Sequence, residues 1–189
     1  MGKKQDIIFA AQRLFSQFGL KKVTMEDIAR EASASKVTVY RYYPDKQAAF
    51  EDVVQFEADQ LYRAIREAVA AESTVEGKFR AHLVTKIGTI RNLVNFYRVT
   101  RDSMNDHWPH IADAASRFMD QETRIVENIL KLGNRTGELH VKPVKMTARV
   151  MTVSLKSLEF DWAMTSHDIP LERFINRLMD MMLNGLRKR

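Results

Sequence analysis

The chain of 189 residues carries 30 Lys and Arg against 24 Asp and Glu, a formal net charge of +6. With no Cys, 4 Pro and 7 Gly it excludes disulfides, thiolate metal sites and a cysteine nucleophile, and it disfavours a turn-rich β protein. A hydrophobic share of 45% beside 29% charged residues supports a packed core. One domain, or one domain plus a small module, is therefore expected, mostly helical and soluble in the cytoplasm, with no stretch that reads as a secretory signal or a membrane span.

The charge is unevenly placed. The first 50 residues hold nine bases (Lys3, Lys4, Arg13, Lys21, Lys22, Arg30, Lys36, Arg41, Lys46) and five acids (Asp6, Glu26, Asp27, Glu31, Asp45), so four of the six surplus charges lie there. By itself this fits either a nucleic-acid-binding face or an ordinary solvated one.

Ile7, Ile8, Ala11, Leu14, Phe15 and Phe18 recur at helical spacing and predict a first helix over about 4–18, ended by Gly19 with Leu20 as the accompanying hydrophobic contact. Thr24 followed by Met25-Glu26-Asp27 reads as an N-cap with an acid three residues on, opening a short helix over about Met25–Glu31 that buries Met25, Ile28 and Ala29. Ala32-Ser33-Ala34 is a tight connection, and Ser35 is the next N-cap. The third helix runs from Lys36 to about Tyr43 and stops before Pro44, since the residue before proline disfavours helical backbone.

Two short helices joined by about three small residues make a helix-turn-helix unit. Val39 and Tyr43 face the core, leaving Lys36, Val37, Thr38, Tyr40, Arg41 and Tyr42 outward. That set suits DNA: cations and hydroxyls for phosphates, Val37 for a thymine methyl in the major groove.

The run Thr24-Met25-Glu26-Asp27-Ile28-Ala29, followed by Ser35-Lys36-Val37-Thr38-Val39-Tyr40-Arg41-Tyr42-Tyr43-Pro44-Asp45-Lys46, resembles the DNA-binding domain of the tetracycline-repressor (TetR) family. The preceding Phe15-Ser16-Gln17-Phe18-Gly19-Leu20 matches the end of that family's first helix. The resemblance implies an all-α fold: an N-terminal three-helix DNA-binding domain, here residues 1–47, and a larger helical effector-binding and dimerisation domain, here 48–189. It implies that Thr24 and Lys46 hold phosphates at two helix N-termini, while Ser35, Lys36, Val37, Thr38, Tyr40 and Tyr42 face the groove or its flanks. Three positions depart from the pattern. Ser33 stands where Gly is usual, so the turn must fit a side chain. Tyr42 stands where His is frequent and Tyr43 where Phe is usual, so the Tyr43 hydroxyl needs a partner or an exit to water.

Asp45 can cap a fourth helix over about Lys46–Ala71, with Phe50, Val53, Val54, Phe56, Leu61 and Ile65 among its apolar positions. It would span roughly 40 Å at 1.5 Å per residue and suits a lever between the two regions. Ser73-Thr74 caps a helix over about 75–93, and a shorter one follows at about 95–105. Trp108-Pro109 opens a helix to about Leu132, and Gly133-Asn134-Arg135-Thr136-Gly137 is the clearest break. Pro143 opens a helix to about Met164 with two apolar stripes, one of Met146, Val150, Val153, Ser157, Phe160 and Met164, the other of Met151, Ser154, Leu155, Leu158 and Trp162. Pro170 opens the last, with Leu171, Phe174, Ile175, Leu178, Met181, Met182 and Leu186. Surplus apolar surface on these last two helices predicts a homodimer through a four-helix bundle, with a larger monomer core as the alternative.

Phe96, Tyr97, Trp108, Phe118, Met151, Phe160, Trp162 and Met164 are candidates to line an effector pocket, although each taken singly reads more readily as core. His82, Arg91, Arg98 or Arg101 would add a polar contact to a small apolar or aromatic effector. Asp106-His107-Trp108-Pro109-His110 lacks an evident third metal ligand, and no phosphate loop, nucleophile elbow or zinc helix is present. The expectation is a ligand-responsive regulator, a repressor in most of the family, binding pseudo-palindromic double-stranded DNA with no cofactor and no catalysis. The alternative is a helical carrier or enzyme on the same fold without specific DNA binding.

Overall fold

The computed structural model describes residues 2–90, 108–164 and 170–186, with side chains described for 2–89, 112–156 and 170–185. Its regular structure among these residues is all helical: α1 Lys3–Phe18, α2 Met25–Glu31, α3 Lys36–Tyr42, α4 Lys46–Ala71, α5 Val75–Ile90, α6 Trp108–Thr136, α7 Val144–Met164 and α8 Leu171–Leu186. The described residues divide into two compact units. One holds residues 2–59 with 108–115, the other 60–90 with 116–186. The helix expected at about 95–105 lies outside the described residues.

In the first unit α1 packs on α2 and α2 on α3. The core is built on Ile7, Ala10, Ala11, Phe15, Ile28, Val39, Phe50, Val53 and Val54. Phe15 meets Phe50 edge to face, their centroids 5.2 Å apart. Phe18 departs from the expected stripe: it is 49% exposed, because α1 ends there and Gly19, at φ 78°, turns the chain so that Leu20 is buried instead. Val39 is fully buried, as its spacing predicts. α3 stops one residue earlier than expected, with Tyr43 already extended ahead of Pro44.

The capping signals act as read. Thr24 and Asp27 form a reciprocal capping box. Ser35 Oγ accepts from the Thr38 N–H at 3.1 Å, and Asp45 Oδ1 from the Ala48 N–H at 2.8 Å. Each satisfies a donor that the first helical turn leaves open. Ser33 has φ 47°, so the turn does hold a side chain in the left-handed region.

In the second unit α5 packs against both α7 and α8. The break expected at Gly133 falls instead at Gly137, where φ is 78°, and α6 continues through Thr136. The reason lies in the loop that follows. It folds back so that the Leu139 N–H donates to the Gly133 carbonyl at 3.1 Å, and the Asn134 amide bonds both backbone groups of Val141 at 2.9 Å. Gly133 thus serves close packing inside a helix, not its end.

On α7 the buried face is Ala148, Thr152 and Leu155. The stripe of Met146, Val150 and Val153 lies outward, at 63%, 55% and 49% exposure. α8 buries Ile175, Met179 and Leu183 and exposes Met181.

Candidate functional site: a helix-turn-helix surface and a buried charge cluster

The recognition surface is made by α3 and the first turn of α2. Val37 is 79% exposed, an unusual degree for a β-branched residue in a short helix. Lys36, Tyr40, Arg41 and Tyr42 lie outward beside it, and Thr38 is half-buried. The Arg41 guanidinium lies 5.4 Å from the Tyr42 ring, which steadies both. The hydroxyls of Ser35 and Thr38 bond each other at 2.8 Å.

The Lys36 ammonium pairs with Glu26, joining the first turns of α2 and α3. Their hydrogen bond holds the Glu26 carboxyl below its usual range. Thr24, also expected at a phosphate, accepts from the Asp27 N–H at 3.2 Å and donates to Asp27 Oδ2 at 2.7 Å, lowering that carboxyl too.

Lys46 departs from its expected place. Its ammonium is turned to the backbone before α2 and donates to the carbonyls of Leu20, Lys21 and Val23 at 2.9, 3.2 and 3.2 Å. An ammonium has three protons, so these bonds use its full donor capacity. Lys3, which no local pattern marks, donates likewise to the Ala32 and Ser33 carbonyls at 3.2 and 3.0 Å, bracing the turn between α2 and α3. Tyr43 finds the partner it requires: its hydroxyl donates to Asp52 Oδ2 at 2.6 Å, and Lys4 pairs with the same oxygen at 2.8 Å. Burial, then the Asp52 bond and charge, push the phenol far above its usual range.

In the second unit Phe118 is buried and Met151 half-buried. The side chains of Trp108, Phe160, Trp162 and Met164 lie outside the described ones, and Phe96, Tyr97, Arg91, Arg98 and Arg101 outside the described residues altogether. So do Asp106 and His107 of the set-aside metal constellation, and among the described residues no cluster of ligands fit for a metal occurs.

His82 and Phe118 belong to one buried cluster with two residues that sequence reasoning missed, Lys86 and Glu122. His82, Lys86 and Glu122 are 1%, 2% and 2% exposed. Glu122 Oε1 accepts from the Lys86 ammonium and lies 3.0 Å from His82 Nε2, while Lys86 stands 5.9 Å from the Phe118 ring. Burial pushes the Glu122 carboxyl up, but the Lys86 charge and the His82 bond outweigh it and hold the group well below its usual range. The spacing of His82 to Lys86 and of Phe118 to Glu122, four residues in each helix, was the available signal. Charge at core positions hid it.

A short, capped helix that turns a cation, an exposed valine and two tyrosines outward from a three-helix unit defines a helix-turn-helix DNA-binding protein. Residues 7–53 match the model of bacterial regulatory proteins of the tetR family. The chain is 20% identical over 146 residues to the HTH-type transcriptional repressor KstR2 of Rhodococcus jostii, covering 75% of this chain and 72% of that one. Its fold is shared with a transcriptional regulator from Cytophaga hutchinsonii, at TM-score 0.78 and 22% identity over the whole of both chains. It is shared too with FadR from Bacillus subtilis in complex with stearoyl-CoA, at TM-score 0.75 and 18% identity over 96% and 98% of the two chains. Residues 7–53 are thus a DNA-binding domain of the tetR family of bacterial regulatory proteins, and the chain is a DNA-binding transcriptional regulator.

Proposed function

We propose that the chain acts in the cytoplasm as a homodimeric repressor, with residues 1–47 on the operator and 48–189 serving effector binding and dimerisation. The observation that carries the DNA part is the outward set on α3, above all Val37 at 79% exposure. Val37, Tyr40 and Tyr42 read or flank base edges, while Thr24, Ser35, Lys36, Thr38 and Arg41 serve the phosphates beside them. Lys46 acts at one remove, by fixing the backbone that leads into the Thr24 cap.

The exposed Met146, Val150 and Val153 on α7 and Met181 on α8 support pairing of two copies through these helices. Two recognition helices then meet successive major grooves of a pseudo-palindromic site, about one helical turn apart. The effector is a small molecule with a largely apolar body, in keeping with the stearoyl-CoA held by FadR of Bacillus subtilis. It lowers operator affinity by favouring a dimer geometry that no longer fits the DNA, which requires different affinity for the two states. The role is regulatory, with no catalytic step.

Selection from a random-sequence duplex pool tests this reading. A pseudo-palindromic sequence is expected, bound by two copies, with Tyr40→Ala weakening it at least tenfold. A pool with no enriched sequence overturns it.

A further inference from the structure

Three ionisable side chains lie nearly inaccessible where α5 meets α6: His82, Lys86 and Glu122. A buried ion pair of this kind is replaceable by apolar residues without loss of stability, and often with gain, so its retention in a helical interior calls for another reason. Both bases converge on a single acceptor, Glu122 Oε1. Lys156 of α7 adds a further positive charge to the field of Lys86 and Glu122. Phe118, one turn before Glu122, presents its ring to Lys86 and makes an apolar wall beside the charges.

Building on the ligand-responsive reading, we propose that Lys86 and His82 form the anion-recognition point of the regulatory unit, taking the anionic oxygen of an effector whose apolar body lies along Phe118. Glu122 occupies that place in the free protein as an internal surrogate. The effector's anion takes over the Lys86 and His82 bonds; Glu122, deprived of the groups that kept it charged, takes up a proton from solvent as its burial favours, and the tie between α5 and α6 through its carboxylate is released. That gives binding a structural consequence: the two helices are joined through Glu122 in the free state and through the ligand in the bound one. Differential affinity for two arrangements is what a population shift demands.

The test uses the full chain and calorimetric titration with decanoate, decanoyl-CoA and 1-decanol, which share an apolar chain and differ in charge. Either anion is expected to bind, with 1-decanol at least tenfold weaker. Binding of decanoate places the recognised charge on a carboxylate; binding of decanoyl-CoA alone places it on phosphates, and both support the proposal. Lys86→Met is expected to weaken the anion at least tenfold. Should that variant fold poorly, Lys86→Met with Glu122→Leu replaces the pair by an apolar one, keeps the helical signal in circular dichroism, and is expected to lose the anion equally. The proposal is overturned if 1-decanol binds as tightly as the anions, if the double variant retains wild-type affinity for them, or if neither anion binds. Release of the selected DNA by 1-decanol alone overturns this proposal and leaves the ligand-responsive reading standing. A selected DNA that none of the three releases tells against that reading as well.

Discussion

Lys46 donates to the carbonyl of Leu20 at 2.9 Å, across 26 positions of sequence. The bond, with those to Lys21 and Val23, ties the start of α4 to the backbone leading into α2. Lys46 therefore acts on DNA binding by holding the Thr24 cap in place. Lys46→Met is expected to lower operator affinity while leaving the slope of log affinity against log salt unchanged. A phosphate contact would instead cut that slope by about 1 on removal. Filter binding at four salt concentrations decides between the two.

Ser33 holds φ 47° in the turn between α2 and α3, where a side chain is strained and glycine is not. Ser33→Gly is expected to stabilise the first unit by about 0.5–1 kcal/mol, less the entropy glycine adds to the unfolded chain. The Lys3 bond to the Ser33 carbonyl is a backbone contact and survives the change. A urea midpoint below the wild type's would sink this account.

Much of the first unit was legible because its signals are local. A cap, an acid three residues on, a proline and a short apolar stripe each act within one turn, so the bounds of α2 follow from Thr24 to Glu31 alone. The outward face of α3 was legible for the same reason. What stayed hidden depends on distant partners. The carbonyls that claim Lys46 and the turn braced by Lys3 leave no mark on a window of sequence, and the spacings within α5 and α6 do not by themselves connect Lys86 to Glu122 over 36 positions. Small residues misled in a different way. On the buried face of α7, Ala148 and Thr152 carry no strong signal: hydropathy ranks both below the exposed Met146, Val150 and Val153, and only Leu155 stood on an expected stripe.

Gly133 shows how a glycine inside a helix differs from one at its end. A Cβ there would stand 2.5 Å from Cγ and Cδ1 of Leu139, and Leu139 is buried and bonded back to Gly133. Gly133→Ala gains helix propensity but forces the loop outward, so a net loss of about 1–3 kcal/mol is expected. Gly88→Ala, at a helical position where an added Cβ meets nothing within 4 Å, is the control and is expected to be neutral or mildly stabilising. Thermal unfolding of the two variants side by side makes the comparison.

Tyr43→Phe removes the hydroxyl that donates to Asp52 and leaves the ring in place. Lys4 still pairs with the same Asp52 oxygen, so the carboxylate is not stranded. A loss of about 1.5 kcal/mol is expected, at the modest end for a bond to a charged group. A loss above about 3 kcal/mol in urea unfolding would mean that the ring itself had moved.

The Lys86–Glu122 pair sets a pH dependence whose sign follows from Glu122. Its carboxyl is held low in the folded chain, although burial opposes this, because Lys86 and His82 favour the charged form. The stabilisation is therefore fully present above the unfolded value of about 4.3 and is lost as pH falls through the folded value. Glu122→Gln leaves Lys86 buried without its counter-charge, and a loss of about 3–5 kcal/mol is expected at pH 7. The gap between wild type and variant should narrow steadily below about pH 4.3, while the lowered carboxyls of Glu26, Asp27 and Glu127 are common to both proteins and cancel. Urea midpoints of the two proteins at pH 7, 5 and 3.5 measure it. A gap of equal size at all three would mean that Glu122 does not carry its charge in the folded chain.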